Sequence, residues 1–491
     1  MREEEEMETY PTKKEELVSL FSQMSDFSVR EFSLGERQFC LFFLSNHSSK
    51  ILMHDFILDP LMRAYEECHT VFPPADRIAG TSVTRLKNVT EAKEAVLSGF
   101  CVLLYTGMEE GQYGLSVSTR NEEGRSGTEP ETETVIRGAH EGFVESAEQN
   151  AMLLRRRLKT EKLKKIDLTI GQITKTAVSV MYLEDIADPA ILSELLRRLR
   201  GIDMDGILDS GYVELCIQDG RYAVYPTVGN SERPDKVAGK LLEGRIAVIV
   251  DGSPVVLTVP YLFCEAIQVA EDYSKSTYYA TFVRVIRFIA MLIALYLPAL
   301  FVALTVWHPD LLPPSFVETL TVSREDLPFS VFAEVLLIFG LFEIIREVGL
   351  RMPKAVGSAV GLVGSLILGD SAVDAGIASP TVMVFVALAA ICNFIVPPYM
   401  NSNVLYRFLM IVISGAFGLF GFFCALSVTL VSLCAKRSFG VPYLYPLAPM
   451  DARGLADYLL MLPVWRMRHA PSAITGKDIV RALGRRRKNE N

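Results

Sequence analysis

The spacing of apolar residues divides the chain near Tyr279. Before it, short apolar runs are broken by charges every few positions; beyond it the runs lengthen. In the first half, Phe39-Cys40-Leu41-Phe42-Phe43-Leu44 reads as a strand and leads to Asp59-Pro60 and a helix-like Leu61-Met62-Arg63-Ala64-Tyr65. The same order returns as Ala177-Val178-Ser179-Val180-Met181-Tyr182-Leu183, then Asp188-Pro189, then Ile191, Leu195 and Leu199 on one helical face. Asp can cap a helix and Pro suits its first turn, so both Asp-Pro pairs predict helix starts. A second echo follows: Leu97-Ser98-Gly99 precedes the apolar run Cys101 to Tyr105, and Leu242-Glu243-Gly244 precedes Ile246 to Val250. Each run is followed by a glycine turn and a second β-rich run, the pattern of a hairpin. Two similar α/β lobes are expected, at about 30–130 and 165–265.

Between them, Asn121 to Glu133 is rich in Gly, Ser, Thr and Glu and reads as a mobile loop. Glu141 to Lys165 reads as a helix joining the lobes. Its arginines Arg155, Arg156 and Arg157 either sit on a solvated face or form a contact surface for another subunit or lipid phosphate. The full division is an acidic segment 1–29, lobes 30–135 and 166–275 with a connecting helix 136–165, a membrane domain 280–437 and a basic tail 438–491. The fold class is thus a two-lobed α/β soluble region followed by an α-helical multi-pass membrane domain.

Five apolar segments make up the second half. Phe288–Trp307 has no charged residue, and about twenty helical residues cross a hydrocarbon core of ~30 Å. Pro298 is expected to kink or break it. The others are Phe329–Ile345, Ala355–Gly369, Ile377–Val396 and Phe408–Ala435. Arg284, Arg287, Arg346, Arg351, Lys354, Lys436, Arg437 and the tail Arg485 to Lys488 mark inner sides, while the 308–328 connection carries only Arg324 as a basic residue. Five crossings conflict with this charge pattern. A re-entrant Ala355–Gly369 restores it, because about 15 residues span only about 22 Å as a helix; a short pore-lining span is the alternative.

Gly357, Gly361 and Gly364 share a face of that segment with Ser358 and Ser365 beside it, which suits close helix packing or a narrow pore wall bordered by Val363. Glu343 can pair with Arg346, whereas Glu334 has no basic residue within a turn and is a candidate for ion contact. The pore candidates are therefore Ser358, Gly361, Val363, Ser365 and Glu334; the assembly candidates are Arg155, Arg156, Arg157 and Arg233.

Composition narrows the function. Net charge is −9, and no aromatics interleave with the basic tail, which argues against nucleic acid. The eight cysteines form no Cys-x-x-Cys pair and read as buried free thiols in a reducing compartment. The first 25 residues are acidic and polar, unlike a signal peptide, so the soluble half is expected to stay in the cytoplasm. Six histidines are scattered, and there is no phosphate loop or Ser/His/Asp arrangement. Asp203, Asp205 and Asp209 lack the remaining ligands of a calcium loop, so capping and turn roles are expected. No enzyme activity, metal or cofactor is expected.

Longer strings carry a resemblance. They include Glu141-Gly142-Phe143-Val144-Glu145, Tyr182-Leu183-Glu184-Asp185-Ile186-Ala187-Asp188-Pro189, Asp205-Gly206-Ile207-Leu208-Asp209-Ser210-Gly211-Tyr212 and Glu232-Arg233-Pro234-Asp235-Lys236-Val237. Further along come Glu271-Asp272-Tyr273, Leu297-Pro298-Ala299-Leu300, Ser323-Arg324-Glu325 and Arg437-Ser438-Phe439-Gly440-Val441-Pro442-Tyr443. Over roughly residues 30 to 450 the chain resembles the A subunit of GerA-type nutrient germinant receptors of endospore-forming bacteria. Ala139 and His140 depart from the Pro and basic residue that often precede Glu-Gly-Phe-Val-Glu in that family. The resemblance implies a place in the spore inner membrane, and the Lys/Arg pattern then puts the soluble region and tail on the core side. It also implies a transporter-like B subunit and a lipoprotein C subunit as partners, self-association, contact with membrane lipid, and passage of monovalent cations on nutrient sensing. A secondary transporter and a non-conducting scaffold are the rival readings.

Overall fold

A computed structural model describes residues 2–68, 74–78, 82–108, 111–120, 130, 133, 138–220, 223–325, 327–352, 369–451, 454–463 and 470–477. They form two compact units: an α/β unit (to 220, 228–260 and 470–477) and a helical unit (223–227 and 261–463).

The α/β unit holds two sheets of one design. Helix α1 (Arg2–Leu20) leads into β1 (Phe27–Leu34) and β2 (Arg37–Leu44); a helical stretch, Lys50–Met53, His54–Leu58 and Asp59–Cys68, then precedes β3 (Val83–Leu86), α2 (Val89–Leu97), β4 (Cys101–Tyr105) and β5 (Gly114–Val117). The second sheet follows α3 (Ala147–Arg157): β6 (Leu163–Ile170), β7 (Thr176–Leu183), α4 (Pro189–Arg200), α5 (Ser210–Ile217), β8 (Gly229–Ser231), α6 (Pro234–Leu242), β9 (Ile246–Val250) and β10 (Val256–Val259). The strand orders are β1-β2-β4-β5-β3 and β6-β7-β9-β10-β8, the same path taken twice. Phe27 faces Leu44 and Leu163 faces Leu183, so the first hairpins start in equivalent register. Both expected second hairpins, β4 with β5 and β9 with β10, are antiparallel.

Strand β2 shows why its run is almost wholly apolar. Successive side chains leave opposite faces of a sheet, and both faces here are covered. Cys40, Phe42 and Leu44 meet Leu17 and Phe21 of the N-terminal region and Ala92 and Val96 of α2. Phe39, Leu41 and Phe43 meet Ile57, Leu61 and Ala64. In the second lobe α3 and α6 cover Met181, Leu183, Ala247 and Ile249.

Several local readings change. Much of the acidic opening segment is helix α1, and Leu17 is completely buried. The helix in the 136–165 connector is only Ala147–Arg157 and belongs to the second lobe's core, while Lys164 and Lys165 lie in β6. Asp188 does cap α4, accepting from the Ala190 N–H at 2.8 Å. Asp59 caps nothing: it continues a helix through a π turn, His54–Leu58, with its N–H bonded to His54 O. The wider turn accommodates Pro60, which has no N–H to give and would crowd a regular turn. Among the described cysteines, Cys216, Cys424 and Cys434 are exposed, which corrects the expectation of uniformly buried thiols.

In the helical unit, α7 (Thr277–Trp307) packs along α10 (Pro380–Asn393) and α11 (Met400–Ala435), and α8 (Pro314–Val322) and α9 (Val331–Arg351) belong to the same unit. Thr277–Trp307 and the run Pro397–Ala435 are long and apolar enough to cross a bilayer; Pro380–Asn393 is apolar but shorter. Helix α7 runs through Pro298 unbroken. The interruption falls instead in α11 at Gly418, whose φ of +62° suits glycine. There the Trp307 indole N–H donates to Gly415 O at 2.9 Å. Positions 353–368, most of the third apolar segment, lie outside the described residues.

Candidate functional site

Charged groups inside the helical unit are the features that chain packing alone explains least. Arg407 lies two turns into the long helix α11, and its side chain is 0% exposed. Its Nη2 donates to Glu343 Oε1 at 2.7 Å, and its guanidinium lies 4.3 Å from the Phe339 ring centroid. Its Nη1 reaches the carbonyl of Ala294 at 3.5 Å. That carbonyl is free because Pro298, one turn on, has no N–H to return to it. Arg346 adds a second cation, 2.9 Å from Glu343 Oε2. Three buried N–H groups of this centre, Arg346 Nε and Nη1 and Arg407 Nε, have no hydrogen-bond partner, and neither has Glu343 Oε2. The expected Glu343–Arg346 pair is therefore present. Arg407 was not foreseen, because the apolar run begins one residue later; a proline in a facing apolar helix was the available signal.

Glu334 is also buried, at 1% exposure. Its Oε1 accepts from the Ser379 N–H at 2.5 Å and the Ser379 hydroxyl at 2.8 Å, and its Oε2 pairs with Arg324. It sits at the start of α10, where a negative charge also meets the positive end of the helix dipole. Arg324 lies ten residues away in sequence, so a one-turn search missed it. The Ser-Arg-Glu string thus contributes a cation to a buried carboxylate. The other pore candidates, Ser358, Gly361, Val363 and Ser365, lie outside the described residues.

At the entry to α7, Arg284 is wholly buried between Asp272 (3.0 Å) and Asp457 (2.9 Å), and Arg287 shares Asp272 at 2.8 Å. This accounts for Asp272 in the Glu-Asp-Tyr string.

In the α/β unit, Arg155 spans the two lobes. Its Nε and Nη2 form a fork on Asp26 at 2.5 and 2.7 Å, and Nη1 donates to Leu163 O at 3.1 Å. Beside it, Ser25 N–H donates to Lys165 O at 3.2 Å, Lys164 Nζ to Ser22 O at 2.8 Å, and Ser25 Oγ to Asp167 at 2.6 Å. Burial would raise the Asp167 carboxyl, but bonds from Lys165, Ser179 and Ser25 outweigh it and hold the group below its ordinary value. Arg156 and Arg157, part-exposed, share Glu141 at 3.5 and 2.7 Å. Arg233 is buried, forked onto Asp235 and bonded to Glu133 O. Four assembly candidates thus divide into two interior struts, Arg155 and Arg233, and two surface groups. Asp209 caps α5 through Gly211 N–H and accepts from Ser253, and Asp203 accepts from Gln172, as turn and cap roles require. Among the described residues, no three His, Cys, Asp or Glu side chains gather as a metal site.

The family described as Bacillus/Clostridium GerA spore germination protein matches residues 15–473. The chain belongs to the GerA family. Spore germination protein KA of Bacillus subtilis (strain 168) is 36% identical over 465 residues, covering 93% of this chain and 85% of that protein. Spore germination protein GerLA of Bacillus cereus is 32% identical over 462 residues, covering 92% and 93%. A crystal structure of the N-terminal domain of the A subunit of the Bacillus megaterium spore germinant receptor GerK3 is 30% identical, covering 51% of this chain and 94% of that one, at a TM-score of 0.39. This GerA-family chain is thus similar to germination proteins through both of its units.

Proposed function

We propose that this protein is the A subunit of a nutrient germinant receptor in the spore inner membrane, self-associating to form the part that conducts monovalent cations. A transporter-like B subunit and a lipoprotein C subunit are its partners in this reading. The α/β unit and the tail lie on the core side. The observation that carries the proposal is the family match across a unit that pairs long apolar helices with buried charge. Ion pairs of this kind inside apolar helices mark functional centres more often than passive packing. The path itself is assigned to copies of segment 355–369, with Ser358, Gly361, Val363 and Ser365 at its wall. Both Glu334 oxygens are engaged, so contact of Glu334 with an ion requires Arg324 or Ser379 to move away.

The test pairs potassium release from spores with receptor abundance in the same preparations. Enlarging Gly361 or Ser365 should reduce release at unchanged abundance. Release that only follows a fall in abundance removes the pore assignment. Sidedness is checked separately by cysteine labelling of intact protoplasts. Label should reach the 314–322 region near Glu318 and miss Ser231 and Ser472; labelling at Ser231 overturns the orientation.

A non-conducting scaffold is the second reading, favoured by the full engagement of Glu334 in internal bonds. Reconstitution of the purified chain in liposomes separates the two, since a scaffold passes no potassium.

A further inference from the structure

The Arg407 centre is chemically incomplete. It contains two arginines and one carboxylate, so it carries one uncompensated positive charge. Its buried atoms without a hydrogen-bond partner are three N–H groups and one carboxylate oxygen, Glu343 Oε2. An unpaired donor on a charged group is costly where water is scarce. Unmet donors thus outnumber the unmet acceptor, and with the surplus charge they call for one species: an anion with several oxygens.

The route to the centre is visible as well. Arg407 is sealed, but the Arg346 side chain is 16% exposed, so the centre opens on the Arg346 side. The same helices carry exposed apolar residues close in sequence: Ile344 at 62%, Leu350 at 67%, Leu405 at 60% and Leu409 at 53%. An anion arriving here meets oily surface around a cationic mouth. That combination suits an amphiphile with an anionic head, and suits a free ion poorly.

We propose that the Arg346–Arg407 centre binds the phosphate of an anionic membrane lipid, its acyl chains lying against the apolar surfaces of α9 and α11. Arg346 supplies its Nε and Nη1 donors, buried just inside the mouth, and Arg407 supplies Nε from deeper within. Glu343 spaces the two guanidinium groups and keeps the centre from holding two uncompensated charges. Helices α7, α9 and α11 all contribute, through Ala294, Glu343 with Arg346, and Arg407. A bound phosphate therefore couples three helices through one ligand. The proposal rests on the membrane reading given above.

The test uses the full-length chain in neutral detergent, titrated with phosphatidylglycerol, phosphatidylcholine or inorganic phosphate and read by native mass spectrometry. Phosphatidylglycerol should bind in preference to phosphatidylcholine. Arg346→Gln should weaken it at least about tenfold, the scale of a lost charge-assisted hydrogen bond. Glu343→Gln removes the competing carboxylate and should strengthen binding, an outcome opposite in sign to that of a merely structural network. Should Arg346→Gln fail to fold, Arg346→Lys keeps the charge without the fork and should weaken binding a few-fold. Wild-type affinity in the available Arg346 variant overturns the proposal. Inorganic phosphate displacing phosphatidylglycerol at equal affinity also overturns it, in favour of a soluble-anion site. Carbonate extraction of the wild-type chain from membranes is run in parallel; release of the chain there refutes the membrane reading itself, independently of the lipid result.

Discussion

Replacing Arg155 by Met removes both bonds to a carboxylate that has no access to water. Asp26 is 1% exposed, and the two bonds it loses measure 2.5 and 2.7 Å. Breaking one partner of a buried pair typically costs about 3–5 kcal/mol, mostly because the survivor is left unpaired. The second change therefore matters more than the first. In Arg155→Met/Asp26→Leu no charge remains, and the double variant should be more stable than Arg155→Met alone, with a coupling of about 2 kcal/mol or more. Hydrogen exchange of the full-length chain in detergent provides the measurement, read at the amides of β6 beside the seam. A loss of about 3 kcal/mol raises exchange there on the order of a hundredfold. If the two single changes add within about 0.5 kcal/mol, the pair is not a strut and the argument from burial fails.

His47 is buried, and burial followed by the nearby cations Arg120, Arg155, Arg156 and Lys159 lowers its titration from 6.5 to about 4. Below pH 6.5 the unfolded chain takes up a proton that the folded chain refuses, so stability should fall between pH 6.5 and about 4 and level off below, by up to about 3 kcal/mol; His47→Gln should flatten that window in pH-dependent melting. Gly418→Ala should lower the melting temperature, because φ is +62° and a new Cβ would lie 2.9 Å from Trp307 Cβ. Gly239→Ala, inside α6 with nothing within 4 Å of the added carbon, should instead be neutral or stabilising by up to about 1 kcal/mol. Arg156→Glu should change thermal stability by no more than about 1 kcal/mol, since its 3.5 Å partner Glu141 is itself part-exposed. Receptor assembly in the same variant, followed by co-purification of differently tagged copies, should drop if this surface joins subunits.

The duplicated lobes were readable because β2 and β7 alternate residues between two covered faces, leaving unbroken apolar runs at matching distances from glycine turns. Helix α4 was equally readable, since Asp188, Pro189 and the Ile191–Leu195–Leu199 stripe agree. Asp59-Pro60 carries the same letters and behaves differently, because a π turn already in progress relieves the proline, and no local pattern announces such a turn. The buried centres were hidden for another reason. Arg324 and Glu334, or Arg407 and Glu343, are partners across 10 and 64 positions, beyond any helical period. Pro298 looked like a breaker, yet its effect is to expose one carbonyl for an arginine on another helix.

The seam between the lobes has a directional character. Aligning the two first hairpins makes Val29 the counterpart of Lys165, and Met24 the counterpart of Thr160. Met24 bridges to Lys165, but no described bridge joins Thr160 to Val29, and Val29 is 37% exposed. The contact is thus head-to-tail, with a donor surface on one lobe and an acceptor edge on the next. A two-fold pair would have used both surfaces and closed. Here the acceptor edge of the first lobe remains unbridged among the described residues, so the repeated lobes form an open-ended step, with a polarity that a symmetric pair lacks.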